Sequence, residues 1–143
     1  MHCRHYAVQL HRARSKFDTA GVPLVLIGQA TPRHAAHFRR RYDVDLPVLA
    51  DEDRASYRAA GAKVASTPEL LGPRSVASGL LKSVQSGGRV RQGRPIGNVA
   101  QLGGAMVIVP DGRIPWSHMS KEPSDNASPD DLLAAARQAS TDG

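Results

Sequence analysis

The chain has 143 residues, room for one compact core and little more, and no apolar stretch approaches the ~20 residues needed to cross a bilayer. Lysine and arginine number 19 against 13 aspartates and glutamates, a formal net charge of +6. Cys3 is the only cysteine, which excludes an internal disulfide framework and a cysteine-based structural zinc site; with no basic start leading into an apolar secretory segment, the expected home is the cytosol.

Tyr6, Leu10, Ala13 and Phe17 recur at steps of four, three and four, which predicts a first helix from about Cys3 to Ala20 with those residues facing inward. Gly21 closes it, and the unbroken apolar run Val22 to Ile27 reads as a strand buried on both faces. Thr31-Pro32 is an N-cap followed by proline at the first helical position, opening a second helix through Tyr42 whose inward face is Ala35, Phe38 and Tyr42. Leu46 to Leu49 reads as a short strand. Asp51 and Asp53 introduce a short helix, Arg54 to Ala60, closed by Gly61.

From Lys63 to Gly104 the pattern dissolves into Gly, Pro, Ser and basic residues, too long a connection for a plain loop. No acidic residue lies between Glu69 and Asp111, whereas Arg74, Lys82, Arg89, Arg91 and Arg94 are all basic. Such a segment suits a polyanion, but no aromatic side chain lies between Arg74 and Arg94 to stack on a base, so nucleic acid is not the expected partner and a solvated basic insertion is. Ala105 to Val109, the turn dipeptide Asp111-Gly112 and Arg113 to His118 form a hairpin signal. Ser128-Pro-Asp-Asp131 then caps a last helix through about Ala139 that turns Leu132, Leu133 and Ala136 inward. This order of elements predicts one α/β domain over residues 1–143, a mixed sheet flanked by helices, with a basic insertion at about 63–104.

Cys3-Arg-His-Tyr-Ala-Val-Gln-Leu10 resembles the start of helix one in thioredoxin-like proteins of the AhpC/TSA antioxidant family, in its peroxiredoxin-like branch. Gly21 to Gly28, Leu46 to Asp51 with Tyr57-Arg58, Gly93-Arg-Pro95 to Gln101-Leu-Gly-Gly104, and Val109-Pro-Asp-Gly-Arg113 resemble further family landmarks in family order. The resemblance implies a thioredoxin-like fold. In that family the helix opens with a CxxC motif; laying Cys3 on its second cysteine places the first ahead of Met1, together with a central strand, so the expectation is a start inside the motif. Thioredoxin-like proteins also commonly carry a cis-proline where this chain has Gly103-Gly104, which weakens the expectation of disulfide-reductase recognition and favours peroxide reduction.

The chemistry implied for Cys3 is that of a thiolate at a helix N-terminus, favoured by unpaired backbone N–H groups and by Arg4. Attack on a peroxide gives a sulfenic acid that a second thiol condenses to a disulfide. With one cysteine in the sequence, the partner is an external thiol, either a thioredoxin-type protein or a small molecule. The competing reading is a redox-inactive binding module that uses the basic insertion to contact an acidic partner. His2, Cys3 and His5, or His34 and His37 one turn apart, lack further ligands at a telling spacing, so no metal is expected. No G-x-S-x-G occurs, and the paired glycines lack the Lys-Ser/Thr of a phosphate loop, so neither serine hydrolysis nor a nucleotide cofactor is expected. Trp116 reads as a core residue.

Overall fold

The computed structural model describes residues 2–65 and 100–141. Their order is α1 (His2–Arg12), α2 (Arg14–Thr19), β1 (Leu26–Gly28), α3 (Pro32–Tyr42), β2 (Val48–Ala50), α4 (Ala55–Ala59), β3 (Gly104–Val107), β4 (Trp116–Met119) and α5 (Pro129–Thr141). Among the described residues the strands form two separate pairs. β1 and β2 are parallel, Leu26 opposite Val48 and Gly28 opposite Ala50; β3 and β4 are antiparallel, Gly104 opposite Met119 and Val107 opposite Trp116. The basic residues Arg74 to Arg94 lie outside the described residues, and no described helix is long and apolar enough to cross a membrane.

The first helix is broken in two. At Ala13 the backbone N–H is shared between the carbonyls of Gln9 and Leu10, each at 3.1 Å, and Lys16 N–H then reaches back to Ala13 O at 3.0 Å, a tightening of the spiral by one residue. The inward stripe survives the break, because Phe17 on α2 is completely buried and clusters with Leu10, Leu132 and Leu133. Tyr6, Ala13, Leu24 and Leu26 pack against this cluster, as do Ala105, Val107 and Trp116, so one core serves both strand pairs. Truncating Phe17 to alanine would cost about 3 to 5 kcal/mol.

β1 is shorter than the apolar run predicts, and its two faces differ. Leu24 and Leu26 meet the core; Val25 and Ile27, with Leu49 opposite Ile27 on β2, are about half exposed. The run therefore alternates like a half-covered strand. α3 begins where expected: Thr31 in an extended conformation accepts a hydrogen bond from His34 N–H, and Pro32 follows. α5 is capped in the same way, Ser128 Oγ accepting from Asp131 N–H at 3.1 Å and donating to its carboxylate at 2.7 Å.

The ends of the 63–104 connection are held together. Val64 bridges Gln101, Leu102 N–H donates to Lys63 O at 2.9 Å, and the buried Gln101 amide donates to the carbonyls of Ala62, Lys63 and Leu102 within 3.3 Å. Leu102 is buried beside it. The Gln-Leu pair is thus a structural clasp that delivers the chain into β3.

Candidate functional site

Cys3 is the second residue of α1, exposed in the first turn, with Arg4 half-buried beside it. In this turn backbone N–H groups have no partner further along the helix, which gives it a positive end.

Tyr57 of α4 ties that helix to the end of β1. Its hydroxyl donates to Ile27 O at 2.9 Å, at the C-terminal end of β1, and accepts from Gln29 N–H. Burial pushes the phenol up to about 12, and negative charge at Cys3 and then at Asp51 pushes the same way. Tyr57 is thus a neutral hydroxyl throughout the working pH range, close enough to Cys3 to feel its charge. The Tyr57 hydroxyl lies at the carboxyl end of the parallel pair, where open α/β sheets place their ligand sites.

Asp51 builds the floor of this corner. Its N–H donates to Gly28 O at 2.8 Å, tying the end of β2 to the end of β1. Its carboxylate accepts from Ala55 N–H at 3.0 Å, from Ser56 N–H at 2.9 Å and from the Ser56 hydroxyl. The Ser56 hydroxyl first, and then the N–H groups of Ala55, Ser56 and Tyr57, hold that carboxyl below its usual range. Asp51, rather than Asp53, therefore starts α4 and aims Tyr57.

Gly104 opens β3, and Gly103 precedes it. No peptide bond among the described residues is cis. A Cβ on Gly104 would lie 2.6 Å from His118 O and 2.7 Å from the Met119 sulfur, whereas one on Gly103 would meet nothing within 4 Å. Gly104 is needed for the close approach of β3 to β4.

A second cluster, not visible in the sequence, lies between β4 and α5. His118 Nε2 and Asp125 Oδ1 are 2.9 Å apart, and Asp125 Oδ2 accepts from Lys121 N–H at 2.7 Å. The Trp116 and His118 rings stack with centroids 6.4 Å apart, and with Asn126, Asp131 and Gln138 they line an open cleft of about 620 Å³. The pair joins β4 to the loop ahead of α5. Trp116, read from sequence as core, packs on the core and also lines this cleft.

The family model described as AhpC/TSA antioxidant enzyme matches residues 9–122. The chain belongs to the AhpC/TSA antioxidant family. Membership carries a thioredoxin-like α/β fold, with which the helices and small sheets agree, and a thiol-dependent antioxidant or redox role. No curated protein and no solved structure matches the chain. Cys3 and Arg4 precede the matched residues, so any role for them rests on their placement.

Proposed function

We propose that this chain is a thiol-dependent antioxidant protein that reduces peroxides or disulfides through Cys3, with Arg4 as its neighbour in the first turn of α1. The proposed unit is a single thioredoxin-like domain over residues 1–143, working in the cytosol, with a central strand between β1 and β3 that the described residues do not supply. The observation that carries the reading is an exposed thiol in the first turn of α1 of a chain that belongs to the AhpC/TSA antioxidant family.

The thiolate attacks the distal oxygen of a hydroperoxide. An S–O bond forms, the O–O bond breaks, and the departing alkoxide takes up a proton to leave as an alcohol. Cys3 is then a sulfenic acid. An external thiol condenses with it, expelling water and forming a mixed disulfide, and a second thiol displaces the Cys3 thiolate. Tyr57 keeps its proton throughout; its part is to hold the end of β1 and the Gln29 turn against α4.

Peroxide consumption with dithiothreitol as reductant tests the reading. The native chain is expected to form a sulfenic acid trapped by dimedone at Cys3, and Cys3→Ser to lose both the adduct and the turnover. Equal consumption by the two proteins would end the proposal.

A further inference from the structure

The cleft between β4 and α5 has two unlike walls. On β4, Trp116 and His118 stand two residues apart and so share a face of the strand. Their rings are nearly parallel, 18° apart in plane with centroids 6.4 Å apart, and together form a flat aromatic wall. Trp116 packs on the core and is still partly exposed, so the platform is both braced and reachable. On α5, Asp131, Ala134, Ala135 and Gln138 follow at helical spacing along the side that meets the cleft, while Leu132 and Leu133 go to the core. The two alanines keep this wall low, and the volume of about 620 Å³ is that of a small-molecule site.

The polar groups around it have fixed roles. Asp125 Oδ1 lies 2.9 Å from His118 Nε2, and Asp125 Oδ2 accepts from Lys121 N–H. In the neutral ring, therefore, Nε2 carries the proton and Nδ1 is left as an acceptor. Ser128 Oγ donates to Asp131 Oδ2 at 2.7 Å, which steadies the carboxylate and leaves Oδ1 as a second acceptor. Asn126 supplies a donor. Its Nδ2 is buried with no hydrogen-bond partner, a rare condition in folded proteins, and a turn about the soft terminal torsion of this side chain brings it to the cleft. No lysine or arginine lines the cleft, so it offers no cation to a phosphate or a carboxylate. Acceptors and a donor beside a flat aromatic wall suit a molecule with hydroxyls at its edge and C–H groups on its face. We propose that this cleft binds a neutral sugar, one pyranose ring lying against Trp116 with its hydroxyls on Asp131, His118 and Asn126. An organic cation also suits an aromatic face, but it leaves the Asn126 donor without an acceptor, whereas a hydroxyl both donates and accepts.

This cleft needs nothing from Cys3, and its test is independent of peroxide turnover. Saturation-transfer NMR is recorded on the full chain with the methyl glycosides of glucose, galactose, mannose and N-acetylglucosamine, and with choline and adenosine, each at about 10 mM. At least one glycoside is expected to receive saturation from aromatic protons, and calorimetry to give it a dissociation constant of about 1 mM or below. Ala134→Leu raises the low wall at an exposed helical position, where leucine is well tolerated, and should weaken binding by about tenfold or more. Asp131→Ala removes one charged acceptor, while Ser128 Oγ still caps the helix through the backbone N–H of residue 131, and should also cost about tenfold. Circular dichroism should find both variants folded. Absence of saturation on every glycoside, binding that survives Ala134→Leu undiminished, or tighter binding of choline or adenosine than of any glycoside would overturn the proposal.

Discussion

The two strand pairs rest on one core but are held in different ways. β3 and β4 approach so closely that Gly104 admits no Cβ, and the His118–Asp125 contact fastens β4 to the loop that leads into α5. β1 and β2 share only three residue pairs, expose Val25, Ile27 and Leu49 on one face, and are closed at their carboxyl ends by Asp51 N–H on Gly28 O and by the Tyr57 hydroxyl on Ile27 O. The hairpin is thus held by close packing, and the parallel pair by polar contacts at its strand ends.

The largest effect expected from breaking this contrast comes from the glycines. Gly104→Ala forces a Cβ to 2.6 Å from a backbone oxygen and should cost about 2 to 3 kcal/mol in denaturant unfolding. Gly28→Ala on β1 meets nothing within 4 Å and should stay within about 1 kcal/mol. Equal losses would mean that the two pairs are packed alike.

Tyr57→Phe comes next. It removes the hydroxyl that links α4 to Ile27 O and Gln29 N–H, with an expected loss of about 1 kcal/mol and slower peroxide consumption at unchanged Cys3 content. Stability lost without any change in turnover would reduce Tyr57 to a packing residue.

The smallest effect is acid-dependent and belongs to the hairpin side. The Lys121 N–H first, and then His118, hold the Asp125 carboxyl below its usual range. A carboxyl lowered on folding contributes stability above its unfolded value near 4 and loses it as pH falls through the lower folded value. Asp125→Asn should therefore cost about 1 kcal/mol at neutral pH, and the gap to the native chain should close on acidification below about pH 4. Thermal unfolding across that range measures it; a gap that persists at low pH would assign the loss to packing instead.

The boundaries of α3 and α5 were legible because Thr31-Pro32 and Ser128-Pro129 combine a side-chain cap with a residue already fixed for the first turn. The break at Ala13 was not, since neither glycine nor proline marks it and the inward stripe continues across it. An unbroken apolar run says that a strand is apolar but not that both faces are covered, which is why Val25 and Ile27 came out half exposed. Arg54, expected inside the short helix, instead precedes it with φ 56°, because the Asp51 carboxylate takes the first N–H groups. Cys3 and Arg4 could be singled out from sequence; Tyr57 could be quoted only as a landmark beside Arg58. Its bond to Ile27 O joins residues 30 apart in sequence, and no local pattern encodes it. For the same reason His118 and Asp125, each unremarkable alone, emerge as a pair only once β4 and the following loop are in place.

Trp116 is the only tryptophan in the chain, and it sits on β4 with the His118 ring stacked beside it. Its emission is consequently a one-sided optical probe. A fluorescence-detected transition follows the hairpin, α5 and the core around Phe17 that Trp116 packs against, and reports on β2 only through them. Comparing that signal with the far-ultraviolet ellipticity of the helices would show whether the shared core around Phe17 makes both sides melt as one.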